Sequence, residues 1–317
     1  MNASVIAIVG SGLIGRAWTI SFARAGHQVR LYDAAAGAAN AAVSFIDSVL
    51  DDLAANDLLS GQDPLALRGR ITPVSSLAAA LDGAVHVQEN TPEDLPTKRR
   101  VFAELDAAAA PGTVLASSSS ALVPSSFSEG LAGQSRCLVV HPINPPYLVP
   151  AVEIVPAPWT ASEVMERTKA LMIGLGQAPI VMRREIDGFV MNRLQGALLE
   201  EAFRLVESGA CSPEDVDIGM REGLALRWSF MGPFETIDLN APSGVADYVA
   251  RYQQIYSRMF PSMQRRADWA GPVLQVVEQA RREHLPASGL ADRQRWRDRR
   301  LMALLRHKRD AGGRIGT

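Results

Sequence analysis

The chain has 317 residues, of which 47% are hydrophobic and 21% are charged. This length and balance predict a globular protein of two domains rather than a disordered or fibrous one. The formal net charge of −2 gives no electrostatic argument for binding nucleic acid or an anionic membrane. Cys137 and Cys211 form neither a CxxC pair nor a metal-ligand spacing, so we expect no disulfide framework and no metal site.

The start of the chain and its hydropathy bear on where the protein works. Residues 1–6 lack a basic region followed by a long apolar segment, so we expect no signal peptide. No apolar stretch approaches the length that crosses a bilayer. These features favour a cytoplasmic protein with no membrane partner.

A strand, a glycine-rich turn, a helix and a second strand are predicted at the beginning. Residues 4–9 are apolar, and the turn Gly10-Ser11-Gly12-Leu13-Ile14-Gly15 follows them directly. An amphipathic pattern then runs to Gly26, and residues 28–32 predict the second strand. In this context the G-x-G-x-x-G spacing indicates a βαβ unit that binds a dinucleotide.

Each glycine of the turn has a mechanical reason. Gly10 makes the tight turn, Gly12 lets the backbone approach a pyrophosphate, and Gly15 lets the helix pack close to the strand. The helix begins near Leu13 and Ile14, where unpaired N–H groups would bind the phosphates.

Asp33 ends the second strand, eighteen residues after Gly15. Its carboxylate can accept hydrogen bonds from the adenosine ribose hydroxyls and would repel a 2′-phosphate. The alanines at 34–36 offer no arginine that could receive such a phosphate. The cofactor is therefore predicted to be NAD rather than NADP.

Helical and strand patterns alternate over the next stretch. Residues 38–59 predict a long helix whose charged side chains are all acidic. Further strands are predicted at residues 71–74, 84–89 and 113–116. Lys98, at the start of a helix, could reach a cofactor ribose or phosphate, and equally could belong to a solvated basic face.

A histidine and a carboxylate are predicted to meet at the end of a buried strand. The apolar run 137–140 delivers His141 to the strand end, and a second apolar run brings Glu153 back. A neutral imidazole can take a proton from a hydroxyl near neutral pH, while a carboxylate on its other nitrogen fixes the tautomer. The structural alternative is a His141 bonded to a backbone carbonyl, with Glu153 solvated.

Serines at 117–120 directly follow the strand predicted at residues 113–116. The run contains no glycine and gives way to an apolar segment, so a flexible linker is a poor interpretation. We expect these serines to lie at the end of the strand, near His141.

The second half of the chain changes character. Strand patterns end after residues 179–182, and helices are predicted from 188 to 206 and from an N-cap at Ser212 onward. This switch predicts a domain boundary near residue 184. The expected fold is α/β, with a Rossmann-type doubly wound sheet in residues 1–184 followed by an all-helical domain in residues 185–317.

Three features of the second half have two interpretations each. Asn192 is either a satisfied core amide or a group that holds a substrate oxygen. Arg227, in a loop predicted over residues 227–233, is either a buried structural ion pair or an anion receptor. The basic run 293–309 predicts a helix that packs on the body or on a partner subunit, which we favour over nucleic-acid binding.

These segments together resemble the 3-hydroxyacyl-CoA dehydrogenase family, and within it the lambda-crystallin/L-gulonate 3-dehydrogenase branch. The resemblance extends from Ile6 to about Leu239 and is weak in the C-terminal tail. Four stretches carry it by their order and spacing, at residues 10–18, 117–122, 141–147 and 188–194.

The resemblance implies a role for each residue of the catalytic group. His141 would be the catalytic base, and Glu153 would orient it. Ser120, which occupies the family's catalytic serine position when His141 is aligned, would hold the substrate oxygen. Asn192 would complete that polar pocket.

The resemblance also implies cofactor contacts, an assembly and a substrate class. Glu93 and Lys98 match family positions that line the cofactor, and the helical domain would mediate a homodimer. Residues 44–59 hold acids and no basic side chain for CoA phosphates. Arg227 stands where the gulonate branch similarly has an arginine, ahead of the stretch 231–235.

We therefore expect an NAD-dependent dehydrogenase that oxidises the 3-hydroxyl of a small hydroxy acid, with Arg227 on its carboxylate. The favoured reaction converts L-gulonate to 3-dehydro-L-gulonate. L-Carnitine 3-dehydrogenase and 3-hydroxyacyl-CoA dehydrogenase are the alternatives among enzymes. A structural, lambda-crystallin-like protein that binds NAD is the alternative that is not an enzyme.

Overall fold

The computed structural model describes residues 3–316 and divides into two compact units. The first unit comprises Met1–Asn192 together with Asp298–Arg306. The second comprises Arg193–Arg297 together with His307–Thr317. The domain boundary predicted near residue 184 stays a prediction.

One eight-stranded sheet forms the centre of the first unit. Its strands are β1 (Val5–Val9), β2 (Gln28–Tyr32), β3 (Ile71–Pro73), β4 (Ala84–Glu89), β5 (Val114–Ser117), β6 (Cys137–Pro142), β7 (Ala151–Pro156) and β8 (Ala178–Val181). Their spatial order is β3-β2-β1-β4-β5-β6-β7-β8, and all neighbours are parallel except β6 and β7. The winding direction reverses between β1 and β4, which is where such a sheet binds ligands at the carboxyl ends of its strands.

Helices cover both faces of this sheet. They are α1 (Leu13–Arg24), α2 (Ala38–Ala55), α3 (Pro64–Arg68), α4 (Leu77–Leu81), α5 (Leu95–Ala108), α6 (Pro124–Ser128) and α7 (Ser162–Gly174). Strand β1 shows why two layers are needed. Its fully buried Ile6 and Ile8 belong to the core with α1, whereas Ala7 belongs to the core with Phe102 of α5. The predicted doubly wound α/β fold is confirmed.

Helices make up the regular structure that follows β8 in the described part of the chain. They are α8 (Met191–Glu207), α9 (Pro213–Ile218), α10 (Ala225–Trp228), α11 (Pro233–Leu239), α12 (Val245–Met263), α13 (Pro272–His284) and α14 (Leu290–Ile315), with a π-helical turn at Gly219–Leu224. Helix α9 begins as predicted, because the Ser212 hydroxyl accepts a hydrogen bond from the Asp215 N–H at 3.2 Å. No helix within residues 3–316 has both the length and the apolar character needed to cross a membrane.

The loop predicted over residues 227–233 is wrong at its start. Arg227 lies in helix α10, which continues the π-helical turn without a break. Ala225, Leu226 and Arg227 are all strong helix formers, so the helix persists until the chain approaches Gly232. Pro233 then occupies the first turn of α11.

The middle of the basic helix α14 is part of the first unit. Met302 is buried there, and Leu301 and Leu305 pack against the core that contains α1 and α2. Arg299 Nε lies 2.9 Å from Asp52 Oδ2 of α2. The predicted helix and its packing on the body of the protein are therefore confirmed for this segment.

Candidate active site

Two glycines of the N-terminal turn are required by the packing of the chain itself. A Cβ on Gly10, which has a φ of +90°, would lie 2.7 Å from the Asn90 carbonyl oxygen. A Cβ on Gly15 would lie 1.8 Å from the carbonyl oxygen of Gly10. Both distances are far below van der Waals contact. The turn can therefore pass the loop after β4 only with glycine at position 10, and α1 can approach the turn only with glycine at position 15.

Gly12 differs, because a Cβ there would meet no protein atom within 4 Å. It precedes α1, whose first turn contains Leu13 and Ile14, and no side chain of residues 3–316 caps that turn. Uncapped N–H groups beside open space are what a bound anion requires. The turn therefore fits the pyrophosphate of a dinucleotide.

Asp33 follows β2 and is held against the turn. Its Oδ2 accepts hydrogen bonds from the Ser11 N–H at 2.7 Å and the Ser11 hydroxyl at 2.8 Å. Its Oδ1 accepts from the Ala35 N–H at 2.9 Å. Burial alone would raise the pKa of Asp33, but these hydrogen bonds outweigh it and lower the pKa below its usual value. An ionised acceptor in this place fits the ribose hydroxyls of NAD.

His141 and Glu153 face each other across the antiparallel strands β6 and β7. His141 Nδ1 lies 2.7 Å from Glu153 Oε2, and both residues are buried. Because a carboxylate can only accept, Nδ1 carries a proton, and in the neutral ring this tautomer places the lone pair on Nε2. His141 therefore binds the Glu153 carboxylate and not a backbone carbonyl, which was the structural alternative.

The second oxygen of Glu153 fixes the segment that leads into α8. Glu153 Oε1 accepts from the Val190 N–H at 2.6 Å and from the Met191 N–H at 2.9 Å. Burial would raise the pKa of Glu153, but the hydrogen bonds from His141, Met191 and Val190 lower it. The buried ring of Phe189 also lies 5.6 Å from the His141 ring.

Asn192 is the next residue along this segment. Its Nδ2 donates to the backbone oxygen of Ser120 at 2.6 Å. Of the serine run, Ser117 and Ser119 are fully buried, whereas Ser120 is exposed. Hydrogen bonds thus join His141 to Glu153, Glu153 to the Met191 N–H beside Asn192, and Asn192 to Ser120, so the structure brings the four residues of the predicted catalytic group together.

Glu93 holds the segment 118–122, which we call the serine loop. Its Oε1 accepts from the Ala121 N–H at 3.0 Å, from the Ser120 and Leu122 N–H groups at 3.2 Å, and from the Ser119 hydroxyl at 2.5 Å. Burial would raise the pKa of Glu93, but these hydrogen bonds lower it, with help from the charge of Lys98. The predicted contact between Glu93 and the cofactor stays a prediction.

Lys98 is turned into the protein and is only 1% exposed. Its Nζ lies 2.9 Å from each carboxylate oxygen of Glu89 and 3.0 Å from the Thr91 carbonyl oxygen. The three donors of the ammonium group therefore each have an acceptor within the fold. The solvated-face interpretation is wrong for Lys98, and its predicted contact with a cofactor stays a prediction.

Sequence reasoning missed two polar groups near this edge of the sheet. Glu89, which ends β4, is fully buried and receives Lys98. Asn144, three residues after His141, has a buried Oδ1 with no hydrogen-bond partner in the described part of the protein. An orphaned acceptor beside the catalytic group fits a donor on a bound cofactor or substrate. The sequence signal for Glu89 is its position as a charged residue at the end of an apolar run.

Arg227 is exposed and belongs to the second unit. Within residues 3–316 no carboxylate pairs with its guanidinium, so the interpretation as a buried ion pair is wrong.

Known proteins share this organisation. Residues 5–186 match the family model for the 3-hydroxyacyl-CoA dehydrogenase NAD binding domain, and residues 188–271 match the model for the C-terminal domain of that family. Lambda-crystallin from Oryctolagus cuniculus is 43% identical over 310 residues, which cover 96% of each protein. L-Carnitine dehydrogenase from a Pseudomonas species is 39% identical over 233 residues, 74% of this chain and 71% of that protein.

A solved structure extends the similarity to the whole fold. It is that of 5-formyl-3-hydroxy-2-methylpyridine 4-carboxylic acid 5-dehydrogenase, an NAD+-dependent dismutase. The TM-score is 0.82 at 26% identity, covering 96% of this chain and 98% of that chain.

The fold, the dinucleotide turn and these similarities define an NAD-dependent oxidoreductase that acts on CH–OH groups. The predicted cofactor, NAD, is confirmed. The chain belongs to the 3-hydroxyacyl-CoA dehydrogenase family. The predicted resemblance to its lambda-crystallin branch is confirmed as well.

Gly12→Ala should give a folded protein that binds NADH at least about tenfold more weakly, since the added methyl group occupies the space needed by the pyrophosphate. Fluorescence titration with NADH measures the loss. Gly112→Ala is the matched control, because its Cβ also meets no atom within 4 Å but lies at the opposite end of the strands. Wild-type affinity in Gly12→Ala would contradict the assignment.

Glu153→Gln should remove part of the pH dependence of stability. Folding lowers the pKa of Glu153 from its ordinary 4.5, so its ionised form stabilises the native protein fully above that pH. This contribution is lost as the pH falls through the lowered pKa. The difference in melting temperature between wild type and variant should be widest at neutral pH and narrow as the pH falls below 4.5.

The exposed Glu163→Gln is the control and should show little difference from wild type at any pH. If the difference in melting temperature between wild type and Glu153→Gln stays constant from neutral to acidic pH, the ionised carboxylate does not stabilise the site.

Proposed function

We propose that this dehydrogenase oxidises the 3-hydroxyl group of a small hydroxy acid, and that its substrate is L-gulonate, which becomes 3-dehydro-L-gulonate. One observation carries the proposal: His141, Glu153, Asn192 and Ser120 are joined by direct hydrogen bonds or by adjacent residues. Such a set combines a base, the group that orients it, and polar groups for the reacting oxygen.

His141 is the base of the proposed reaction. Its Nε2 takes the proton of the substrate hydroxyl, and the ionised Glu153 stabilises the imidazolium that results. NAD, held by the turn at residues 10–15 and by Asp33, would supply the acceptor for the hydride on the carbon that carries this hydroxyl. General base catalysis of this kind contributes about 10²–10⁴-fold to the rate.

Asn192 and Ser120 hold the oxygen of the substrate hydroxyl, on which negative charge develops during the reaction. One N–H of the Asn192 amide is used by the Ser120 carbonyl, which leaves the other N–H for the substrate. The exposed Ser120 hydroxyl supplies a second donor. Donors fixed before the reaction begins stabilise a developing negative charge without reorganising.

Arg227 is the proposed receptor of the substrate carboxylate. Its guanidinium is exposed, and no carboxylate of the described residues occupies its donors. The indole N–H of the neighbouring Trp228 is buried and has no acceptor in residues 3–316. Unused donors on adjacent residues support recognition of an anionic group, since a guanidinium binds a carboxylate through two parallel hydrogen bonds.

Helix α2 supports a small substrate over a CoA ester. The helix itself carries no basic side chain that could bind phosphates. The acids of the helix balance the arginines that contact it. Arg68 pairs with Asp47 and Arg299 with Asp52, both at 2.9 Å, while Arg16 stacks on Phe45 of the helix, which also carries Asp51. These arginines therefore neutralise the helix rather than create an excess of positive charge.

L-Carnitine, another 3-hydroxy acid, is the second candidate. The observation in its favour is the 39% identity to L-carnitine dehydrogenase over 74% of this chain. Its carboxylate and hydroxyl would use the same Arg227 and His141 groups, so a direct assay is needed to separate the two acids.

The test is a panel of substrates, and the absorbance of NADH reports the turnover of each one. L-Gulonate, L-carnitine, 3-hydroxybutyrate and L-3-hydroxybutyryl-CoA are each offered with NAD and, separately, with NADP. Turnover of L-gulonate with NAD would support the proposal. Turnover of L-carnitine alone would select the second candidate, and turnover of the CoA ester alone would contradict the argument from helix α2.

Arg227→Ala should raise the KM of the best hydroxy acid by about 10–100-fold and leave kcat nearly unchanged, because a hydrogen bond to a charged group is worth about 1.5–3 kcal/mol. Steady-state kinetics measure the split. The control is Arg266→Ala, which removes another exposed arginine of the second unit. An unchanged KM for every hydroxy acid would rule out the carboxylate contact.

The proposed assembly is a homodimer formed through the second unit, and the cytoplasm remains its predicted location. Only four described residues of this unit are buried, namely Arg204, Thr236, Ala241 and Val273. Helix α12 exposes an apolar stripe in which each side chain is 37–43% accessible: Val245, Val249, Tyr252, Tyr256, Met259 and Met263. The spacing alternates between four and three residues, as in helices that pack side by side, and supports a second copy as the occupant.

Met259→Glu should convert the protein into a monomer, because it places a charge within the apolar α12 stripe. Size-exclusion chromatography with light scattering reports the molar mass. Ser257→Glu, an exposed position on the other side of the same helix, should leave the dimer intact. A wild-type protein that is monomeric at micromolar concentration would refute the assembly.

A further inference from the structure

Glu89 is a fully buried carboxylate at the carboxyl end of β4. Its Oε1 lies 2.9 Å from Lys98 Nζ and accepts from the N–H of Thr91 at 2.5 Å and from the Thr91 hydroxyl. Its Oε2 lies 2.9 Å from Lys98 Nζ and accepts from the Ser117 hydroxyl at 2.7 Å. Every one of these partners lies at the edge of the sheet where the catalytic group is found.

The bonds of Glu89 reach both loops that leave this edge. Thr91 belongs to the loop after β4, and Lys98 Nζ also donates a hydrogen bond to the Thr91 carbonyl oxygen. Ser117 ends β5, and its hydroxyl oxygen accepts from the Ser119 N–H at 3.1 Å, at the start of the serine loop. Glu93, in the loop after β4, links the two loops directly, because it accepts hydrogen bonds from the N–H groups of the serine loop.

We propose that Glu89 is a positioning residue that sets the place of the serine loop, and therefore of Ser120, relative to His141. It acts through Ser117 on one side and through Lys98 and Thr91 on the other, without touching the substrate. The inference rests on the proposed function only in giving Ser120 a catalytic role.

The energetics of buried ion pairs favour this interpretation over a contribution to stability alone. Removing two charges from water costs free energy, and apolar residues of similar size often stabilise a core equally well. The Glu89 and Lys98 pair has every hydrogen bond satisfied and stands where two loops begin. Its directional bonds fix loop geometry, and a displacement of about 1 Å at a reacting group can cost about 10²-fold in rate.

Ser117→Ala tests the link most directly, because it leaves the ion pair intact and removes only the bridge to the serine loop. We expect kcat to fall about tenfold while the Kd for NADH stays at the wild-type value. Ser21→Ala is the matched control, since Ser21 is equally buried and bonds within α1. Equal kcat values for the two variants would overturn the proposal.

Glu89→Gln should lower kcat by about 10²-fold and also lower the melting temperature, because it removes the ion-pair partner of the buried Lys98 ammonium group. The double variant Glu89→Gln/Lys98→Met removes that charge and should recover the melting temperature but not kcat. Recovery of kcat together with the melting temperature would show a role in stability alone.

Amide hydrogen exchange gives a readout that needs no substrate. In Glu89→Gln, the N–H groups of residues 119–122 should exchange at least about tenfold faster, while strand β1 keeps its protection. Unchanged exchange in the serine loop would overturn the proposal. The kcat of each variant is compared with that of the wild type, using whichever hydroxy acid the wild-type enzyme oxidises. A wrong substrate assignment is therefore distinguished from a wrong positioning role.

Discussion

The two oxygens of the Glu153 carboxylate are the constraint on which the candidate site depends. One oxygen binds the imidazole of His141, and the other binds two N–H groups that lead into Asn192. Neither group can move without breaking a hydrogen bond inside a buried region, where an unpaired polar group is costly. A single carboxylate therefore fixes the tautomer of His141 and the position of the backbone that leads into Asn192.

The strands and the cofactor turn could be predicted because their signals are local. Apolar runs of four to six residues predict buried strands, and the spacing of Gly10, Gly12 and Gly15 predicts the turn after the first of them. The pairing of His141 with Glu153 was also within reach, because each ends or follows such a run. The glycines serve different purposes, which only coordinates reveal: Gly10 and Gly15 make room for the chain, and Gly12 faces open space.

The remaining features depend on tertiary context. Lys98 stands beside two arginines in a helix that looks solvated, and only the fold turns it towards a buried acid. Glu89 ends an apolar run, where a carboxylate is ordinarily exposed, so its burial depends on partners that come from β5 and α5. Arg227 was expected in a loop because of Gly232 and Pro233, although the helix formers before them extend α10 through it.

Helix α14 links the end of the chain to the core of its beginning. Met302 Sδ lies 3.8 Å from Asn56 Nδ2, across 246 residues of sequence. During synthesis, the first unit cannot bury this part of its core until Met302 has left the ribosome. The core of the nucleotide-binding unit is thus completed only after residues 193–297 of the second unit have been synthesised, and until then its face along α2 is open to other surfaces.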